Sequence, residues 1–385
     1  MSGMGFTIPR CQSCGLSRGC KSPKMEVTGH GKKGVLFVAE APGATEDEQG
    51  EQLIGQAGQL LRNTLDDIGW DLDRDCWKTN AIICRPPDNR TPTKKEIEAC
   101  RPCLVKTIQK LEPKIIIPMG SVAVNSLLAP IWRKDIGPVS RWVGWQIPLR
   151  NLNLWVCPTW HPSYLLRQKD EVLSLWFKGH LKKALSLEEA PWPDGPPDLM
   201  GSIKIEKDHS QAAKYIRKFI RAGKPVAFDY ETDRLKPDSV DAKIVSCSVS
   251  DGIHTIAYPW AGEAIIATGE LLKSDTPKIA ANMKFEERWT RGVLGYGVRN
   301  WRWDTMQAAH VLNNEPGITS VKFQAFVRFG VGDYDSHISP YFKGPSSNAP
   351  NRIKELKLSD LLLYNGMDAL LEYKIAEQQM VEMGC

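Results

Sequence analysis

Residues 226–233 read VAFDYETD, a β-prone apolar run that carries acidic side chains. Asp229 and Glu231 are two positions apart, and alternate residues of a strand face the same side of a sheet. Two carboxylates on one face of an otherwise apolar strand are costly unless a cation neutralises them. A strand end that emerges into solvent would also accommodate the pair. The motif therefore predicts either an exposed strand end or part of a divalent-metal site.

Two later motifs add acids that a metal site would need. The segment NMKFEERW at 282–289 follows a strand-like run and begins a helix, which places Glu286 on the first helical turn. In YNGMDALLEYKIAE at 364–377, Tyr364 and Asp368 are four residues apart and share one helical face. Hydrolysis of a phosphodiester with two divalent metals requires several carboxylates to converge on one point. We therefore expect these three segments to meet.

The order and spacing of these motifs resemble the proofreading exonuclease domain of polymerase I-type DNA polymerases, over Ile203–Met383. The resemblance implies an RNase H-like fold with a mixed sheet and 3′→5′ exonuclease activity on DNA. It also implies that Tyr364 positions the attacking water and that Asn282 fixes a turn or contacts the substrate. Glu286 stands where the family usually has aspartate. Asp304 is an alternative acid for this position, and the other interpretation of Asp304 is a structural role. The implied ligands of two Mg²⁺ or Mn²⁺ ions are Asp229, Glu231, Glu286 and Asp368.

The first half of the chain predicts a different sheet. Short apolar runs alternate there with helical patterns such as Gly58–Ile68 and Ser121–Leu128, which is typical of a parallel sheet covered by helices. The fold class is therefore α/β, with two α/β/α domains. The strands predicted in this half are Val35–Ala39, Trp77–Ile83, Lys114–Pro118 and Asn153–Cys157.

The chain has ten cysteines, and several have the spacing of metal ligands. Cys11 and Cys14 form one two-residue-spaced pair, and Cys100 and Cys103 form another, with Cys84 between the pairs. Four thiolates in a tetrahedral array suit either structural zinc or an iron–sulfur cluster. Spacing alone leaves both metals open.

Three separate motifs in this half are similar to those of the family 4 uracil-DNA glycosylases. They occupy residues 35–61, 79–92 and 160–167, and the similarity extends from about Cys11 to Leu185. It implies a [4Fe–4S] cluster and makes the remaining cysteines bystanders. The implied cluster ligands are Cys11, Cys14, Cys84 and Cys100.

The same resemblance implies a uracil-binding site. Asn80 would recognise the uracil edge, His161 would donate a hydrogen bond to O2 as negative charge develops, and Glu40 would lie beside the attacking water. Leu53 stands where the family has an aromatic residue that stacks on the base, and Ala39 replaces a glycine. Further substrate contacts are expected from Asn89 and Arg167.

Composition and charge limit the class of protein and its location. The chain has 385 residues, a net charge of +5, and neither a secretory signal nor an apolar stretch long enough to span a bilayer, so we expect a cytoplasmic protein. The proline-rich stretch LEEAPWPDGPPDLM predicts a linker at 187–201, between a domain at 1–186 and one at 202–385. The expected partners are DNA, as single-stranded 3′ ends or uracil-containing DNA, and a DNA polymerase domain or subunit. The alternative is a non-catalytic DNA-binding accessory module of a polymerase, with a structural cluster.

Overall fold

The computed structural model describes residues 13–187, 192, 197–239, 241–346 and 348–385. The chain divides into two units, Met1–Pro196 with Phe326–Gly332, and Pro197–Ala325 with Asp333–Cys385. Cys11 lies outside the described residues, and so does most of the predicted linker. One linker residue that is described, Trp192, donates its backbone N–H to Asn153 Oδ1 across 2.6 Å.

The first unit contains a five-stranded sheet in the order β2-β1-β3-β5-β4. All neighbouring pairs are parallel except β4 and β5, which are antiparallel. The parallel sheet predicted from the sequence is thus confirmed for four strands, and β4 is a short edge strand that the prediction lacked. The strands are β1 (Val35–Ala39), β2 (Cys76–Asn80), β3 (Ile115–Pro118), β4 (Ile147–Leu149) and β5 (Leu154–Val156).

Helices cover this sheet, and every residue of β1 and β3 is buried, as expected for central parallel strands. The core includes Phe37 and Ile117 from the sheet and Phe177 from a covering helix. The helices are α1 (Ala44–Gln49), α2 (Gln56–Asp66), α3 (Leu72–Asp75), α4 (Lys94–Leu111), α5 (Gly120–Trp132), α6 (Pro162–Gln168) and α7 (Glu171–Leu185).

Two predicted strands are shorter in the structure than in the sequence analysis. The prediction Trp77–Ile83 was wrong beyond Asn80, because the chain turns there after Ala81 N–H bonds to the Ala39 carbonyl. The prediction Asn153–Cys157 was wrong at its start, because Asn153 has a φ of 52°, which is incompatible with a strand. The first correction makes Asn80 the last residue of its strand, directly opposite Ala39.

The second unit contains a six-stranded mixed sheet in the order β11-β10-β7-β8-β9-β6. Three successive strands, β7, β8 and β9, form an antiparallel meander, while β10 and β11 run parallel to β7, and β6 runs parallel to β9. The mixed sheet is therefore confirmed. The strands are β6 (Ile203–Ile205), β7 (Val226–Thr232), β8 (Ile244–Ser250), β9 (Thr255–Pro259), β10 (Lys278–Ala280) and β11 (Trp301–Asp304).

The last helix of this unit packs across the sheet and positions the acids of its motif. It spans 26 residues, and contacts β7, β8 and β9. Close approach depends on Gly366, where a Cβ atom would lie 2.5 Å from Ile203 Cγ2. The helices are α8 (His209–Ala222), α9 (Gly262–Lys273), α10 (Met283–Leu294), α11 (Thr305–Leu312), α13 (Leu358–Met383) and the first residues, up to Ala325, of α12 (Val321–Phe329).

Within the described part of the chain, we find no helix with the length and apolar character required to cross a membrane.

Candidate active sites

Three carboxylates of the second unit converge on one point. Asp229 and Glu231 lie on β7, and Asp368 lies on α13. One oxygen atom from each of the three lies within 4.8 Å of the other two. A single divalent cation with oxygen ligands at 2.0–2.6 Å fits between atoms at such separations. The two acids on β7 and the acid on α13 thus form a site with the oxygen ligands that Mg²⁺ or Mn²⁺ prefers.

Asn365 fixes the position of Asp229 relative to α13. Its Nδ2 atom donates to Asp229 Oδ2 across 2.6 Å, and Ser246 Oγ donates to its Oδ1 atom across 3.0 Å. Ser248 Oγ donates to the Asn365 carbonyl across 2.7 Å. Because Asn365 is completely buried, these bonds hold the strand and the helix in one register.

A lysine that the sequence analysis did not select contacts the other side of the site. Lys322 on α12 donates from Nζ to the Tyr364 hydroxyl across 2.6 Å and forms an ion pair with Asp368 Oδ2. The buried Tyr334 hydroxyl donates to the second oxygen, Asp368 Oδ1. Since Lys322 donates to the tyrosine oxygen, the hydroxyl proton of Tyr364 is free to point elsewhere. The sequence signal was a lysine inside the apolar run SVKFQAFVRF.

Glu286 approaches the carboxylates from α10, where it lies in the first turn as predicted. Its side chain is 2% exposed, and its Oε2 atom has no hydrogen-bond partner among the described residues. Burial and the charge of Asp229 raise the pKa of Glu286 well above its ordinary value. The charges of Glu286 and Asp229 therefore interact, but Glu286 is not one of the three residues whose carboxylate oxygens lie within 4.8 Å of one another.

Asp304 positions that helix instead of joining the acids. Its carboxylate accepts backbone N–H groups from Asn282 and Met283 at the start of α10, and from Met306 and Gln307 at the start of α11. Asn282 adopts a left-handed conformation with a φ of 64°, which turns the chain from β10 into α10. Both residues fix the first turn that carries Glu286.

The site carries an excess of negative charge. Burial, followed by the neighbouring Asp368, raises the pKa of Asp229 to about 8. Burial and Asp229 together raise the pKa of Glu231 well above its ordinary value. Both shifts arise because carboxylates are crowded in a poorly solvated place, and a bound cation would reverse them.

The first unit has an open cleft of about 940 Å³ at the carboxyl ends of its central strands. In an open α/β sheet, ligands bind at this edge. Most of the residues proposed for uracil recognition lie there. Its walls include Glu40, Leu53, Asn80, Asn89, His161 and Arg167.

Asn80 is buried at the base of this cleft and is bonded to a second amide. Its Nδ2 atom donates to Gln52 Oε1, while Gln52 Nε2 donates to the Glu26 carbonyl across 3.0 Å. These two hydrogen bonds fix the side-chain orientation of Asn80 and leave its Oδ1 atom as an acceptor. Gln52 is a partner that the sequence analysis did not select.

His161 lies at the start of α6, packed against the backbone of Gly120. A Cβ atom at Gly120, whose φ is 82°, would lie 3.0 Å from His161 Cβ, so glycine allows this approach. The Ser163 N–H donates to His161 Nδ1 across 3.2 Å, which leaves Nε2 as the protonated nitrogen. Burial, followed by the charge of Arg167, lowers the pKa of His161 to about 4. His161 is therefore a neutral hydrogen-bond donor at physiological pH.

Glu40 and Leu53 complete the cleft. Burial raises the pKa of Glu40, and the positive charge of Arg167 opposes this shift. Leu53 has a φ of 54°, and its carbonyl accepts a 2.6 Å hydrogen bond from Arg62. Asn89 Oδ1 accepts a 2.7 Å bond from Arg85, at the outer edge of the site.

Three of the predicted cluster cysteines line one small cavity. Cys14, Cys84 and Cys100 surround it, and backbone N–H groups of Lys24 and Ile83 donate to the sulfurs of Cys84 and Cys100 at 3.2 and 3.5 Å. Such N–H···S bonds tune the potential of iron–sulfur clusters. Cys20 contacts Cys84, and Cys103 contacts Cys100, so two cysteines regarded as bystanders are close to the cavity. The donor set fits a thiolate-ligated metal group.

Comparisons with known proteins agree with this geometry. Residues 28–186 match the family model of the uracil DNA glycosylase superfamily. The type-4 uracil-DNA glycosylase of Pyrobaculum aerophilum is 38% identical over 190 residues, which cover 46% of this chain and 93% of that protein. The chain belongs to the type-4 uracil-DNA glycosylase family. Its match to the family lies in the first unit.

The second unit matches a different family. Residues 203–380 match the model described as 3′-5′ exonuclease. The solved catalytic core of RRP6 from Trypanosoma brucei has 12% sequence identity, covers 47% of this chain and 48% of that chain, and gives a TM-score of 0.36. The two family matches together show a DNA-processing protein that joins a glycosylase domain of the type-4 family to an exonuclease domain.

One relative extends across both units. The DNA polymerase of Bacillus phage SP01 is 25% identical over 347 residues, which cover 82% of this chain and 36% of that polymerase. The chain thus spans about a third of that protein's length. This match supports the likeness to a DNA polymerase that the motifs of the second unit implied.

Proposed function

We propose that the second unit removes nucleotides from 3′ ends of DNA by metal-dependent hydrolysis. The observation that carries the proposal is the convergence of Asp229, Glu231 and Asp368 within 4.8 Å. These three residues would hold one Mg²⁺ or Mn²⁺ ion, with Asp229 shared with a second ion near Glu286. Bound divalent ions of this kind lower the pKa of an attacking water and stabilise the charge that develops on the phosphoryl group.

The residues around the trio would orient the substrate and water. Lys322 holds the oxygen of Tyr364 and leaves its hydroxyl proton available to a water or a phosphate oxygen. Asn365 and Tyr334 hold the carboxylates of Asp229 and Asp368 in place. The protein thus fixes the metal ligands before the ions bind. Such preorganised ligands favour catalysis because the reacting groups are already correctly oriented.

The test is incubation of the full chain with 3′-terminal single-stranded DNA, with Mg²⁺ and with a chelator. We expect metal-dependent shortening from the 3′ end, and a loss of more than about 100-fold in Asp229→Asn, which exceeds the usual effect of removing an outer-shell partner. The exposed acid Glu377 on α13 provides the matched control as Glu377→Gln. If the wild-type protein leaves the DNA intact, the accessory-module interpretation is favoured.

We further propose that the first unit excises uracil from DNA, because the cleft combines the groups that this reaction uses. Asn80 would present an acceptor to N3–H, His161 would present a neutral donor to the departing base, and Glu40 would lie beside the attacking water; all three line the cleft. Stabilisation of the uracil anion by donors such as His161 is the electrostatic part of the reaction. Arg167 and Asn89 would contact the DNA at the mouth of the cleft.

A uracil-containing oligonucleotide, treated with alkali after incubation, tests this activity. Abasic sites that form with the wild-type chain and are lost in Asn80→Ala and His161→Ala support it. Binding of the oligonucleotide without abasic sites would instead favour the non-catalytic DNA-binding module. Because Asp229→Asn should leave uracil excision unchanged, the two activities can be scored separately in one preparation.

The cysteine cavity would hold a [4Fe–4S] cluster through Cys14, Cys84 and Cys100, with Cys11 as the fourth ligand. A preparation with broad visible absorption that is lost in Cys84→Ser and Cys100→Ser supports the cluster. A colourless protein that contains zinc would contradict it. Cys103→Ser is the matched control, because Cys103 contacts Cys100 and would not be a ligand.

The similarity to the phage enzyme supports a role in DNA replication, in the cytoplasm of a bacterial host and together with a DNA polymerase domain or subunit. Proofreading of a primer end and removal of uracil from the same DNA are compatible tasks for such an assembly. Addition of a polymerase to the nuclease assay would test this role: mismatched primer ends should be shortened before they are extended.

A further inference from the structure

A buried glutamine determines which way the amide of Asn80 faces in the cleft of the first unit. Gln52 lies in the turn between α1 and α2 and is completely buried. Its Nε2 atom donates to the Glu26 carbonyl across 3.0 Å, and its Oε1 atom accepts a hydrogen bond from Asn80 Nδ2. Two side-chain amides in series therefore connect the cleft to a backbone carbonyl.

The backbone carbonyl sets the direction of both amides. A carbonyl oxygen only accepts hydrogen bonds, so the Glu26 carbonyl requires a donor, and Nε2 is the donor atom of the Gln52 side chain. Gln52 Oε1 must then face Asn80, and Asn80 must turn its own donor atom, Nδ2, towards Gln52. Rotation of either amide by 180°, or of both, would place two acceptors or two donors against each other in a buried place, which is unfavourable.

The Glu26 carbonyl is itself held in place beside strand β2. Met25 N–H donates to the Ile83 carbonyl across 2.7 Å. Thr28 and Lys78 exchange backbone hydrogen bonds of 3.1 and 2.8 Å. Glu26 lies between these two attachments, so its carbonyl keeps its position relative to the end of β2.

The orientation fixed in this way matches uracil and opposes cytosine. Uracil presents a donor at N3 and an acceptor at O4, whereas cytosine presents an acceptor at N3 and a donor at N4. Asn80 Oδ1 would accept from N3–H of uracil, and the second proton of Nδ2 would be available to O4. Against cytosine the same amide would oppose acceptor to acceptor and donor to donor. Cytosine would need the Asn80 amide turned by 180°, which Gln52 opposes.

We propose that Gln52 is a specificity-determining residue of the glycosylase cleft, which rejects cytosine by holding the Asn80 amide in the orientation that pairs with uracil. This inference rests on the uracil excision proposed above. Gln52 acts through Asn80 without contacting the base, so it is a positioning residue. Without Gln52, the Asn80 amide would be free to rotate and to pair with either base.

Binding of two analogues that resist cleavage measures this selectivity without turnover. The probes contain 2′-fluoro-2′-deoxyuridine or 2′-fluoro-2′-deoxycytidine, because the electronegative fluorine slows loss of the base. Each analogue is placed in the unpaired loop of a closed DNA dumbbell. No base pair then has to be broken, and the exonuclease unit finds no 3′ end. Fluorescence anisotropy of the full chain with each dumbbell gives two Kd values, and their ratio is the selectivity.

We expect the wild type to bind the uracil probe about 5- to 150-fold more tightly than the cytosine probe, as is usual for a bidentate base contact. Methionine is similar to glutamine in size but cannot orient a neighbouring amide. In Gln52→Met the ratio should therefore fall to about threefold or less, mainly because cytosine binds more tightly. A residue with a merely structural role would weaken both probes equally. If Gln52→Met folds and keeps the wild-type ratio, the inference is wrong.

Two further substitutions test the polarity of position 52. In Gln52→Glu the side chain still accepts from Asn80, so the preference for uracil should remain, and its loss in a folded protein would overturn the inference. Gln52→Ser makes room for a water, which donates or accepts equally well. Its ratio should fall as in Gln52→Met, and it supplies the answer if the methionine variant does not fold.

Gln379 in the second unit offers a matched control. It is also completely buried, its Nε2 atom donates to the Thr305 carbonyl across 3.0 Å, and its Oε1 atom accepts from the Trp303 indole across 3.0 Å. Gln379→Met therefore removes the same pair of hydrogen bonds at a place remote in sequence from the cleft residues. The ratio of the two Kd values should be unchanged in this variant.

A double variant distinguishes failure of the inference from failure of the proposed excision. Asn80→Ala removes the amide on which Gln52 acts, so addition of Gln52→Met to Asn80→Ala should not change the ratio further. A further change would show that Gln52 acts by another route and would overturn the inference. A wild type that binds both probes equally would instead contradict uracil recognition by the cleft, and with it the proposed excision.

Discussion

The side-chain amide of Asn365 donates to the carboxylate of Asp229 across 2.6 Å and to the Asp229 carbonyl across 3.2 Å. One buried residue of α13 therefore holds both the backbone and the side chain of the strand residue that the two metal ions would share. Because an isolated carboxylate is unfavourable in a buried site, this hydrogen bond also stabilises the ionised form of Asp229. The nuclease site depends on a contact between residues 136 positions apart in the chain.

Asn365→Ala should reduce both stability and nuclease activity. The substitution removes the Asn365 partner of Asp229 Oδ2 and of Ser246 Oγ, and each unsatisfied group costs about 1 to 3 kcal/mol. Urea unfolding measures the loss, and a 3′-end assay measures the activity. Ser248→Ala is the control: it removes the 2.7 Å bond to the Asn365 carbonyl but leaves both hydrogen bonds from the Asn365 amide to Asp229, so stability should fall with little loss of metal-dependent activity. Equal activity in wild type and Asn365→Ala would contradict the positioning role.

Lys322→Met should separate metal binding from hydrolysis. The ammonium group repels divalent cations electrostatically, so Mn²⁺ affinity should stay equal or rise in the variant. The turnover number should fall by about 10-fold or more, because Tyr364 loses the donor that orients its hydroxyl. Lys224→Met, on an exposed lysine, is the matched control. Weaker Mn²⁺ binding with unchanged turnover would contradict this assignment.

The local patterns of the sequence predicted much of this architecture. Alternation in VAFDYETD places Asp229 and Glu231 together, and helical spacing places Tyr364 and Asp368 on one face, because both periodicities are properties of the backbone alone. The four parallel strands of the first unit were predictable for the same reason. The edge strand β4 was not, because three residues, Ile147–Leu149, are too few to show a period.

Contacts between distant segments could not be predicted in this way. Lys322 reaches Asp368 from 46 residues away, and Gln52 reaches Asn80 from 28 residues away. Neither Lys322 nor Gln52 lies in a periodic pattern that would predict its partner. Glu372 is different, since the four-residue spacing from Tyr364 through Asp368 continues to it along the buried face of α13.

Uracil excision should show no ionisation of His161 near pH 6.5. Burial lowers the pKa of His161 from 6.5 to about 4, so the neutral Nε2–H donor is present throughout the neutral range. Its contribution to folding is complete above pH about 6.5 and is lost as the pH falls through about 4. Rates measured from pH 5 to 8 should therefore show no inflection that disappears in His161→Ala, while the overall rate of that variant should fall by about 100-fold or more.

The matched control for this experiment is His180→Gln. His180 is half-buried, its pKa is also lowered to about 4, and it is not among the residues that line the cleft. Its substitution should leave the excision rate and its pH profile unchanged. An inflection near pH 6.5 in the wild type that His161→Ala removes would show that His161 titrates at its ordinary pKa and acts as a cation.

Leu53→Phe should increase uracil excision. The Leu53 side chain lines the cleft at the position where an aromatic ring would stack on the base, and stacking contributes about 1 to 3 kcal/mol per base. The cleft is open, and phenylalanine is not β-branched, so the left-handed backbone at this position gains little extra strain.

The expected gain in kcat/KM for uracil-containing DNA is about 5- to 150-fold, since 1.36 kcal/mol corresponds to tenfold. Leu53→Ala removes contact area at the same position and should shift the rate in the opposite direction. Melting temperatures of both variants separate a change in base contact from a change in folding. If Leu53→Phe folds normally and excises uracil no faster than wild type, the flipped base does not stack at this position, and the wall that contains Leu53 is not the base-binding surface.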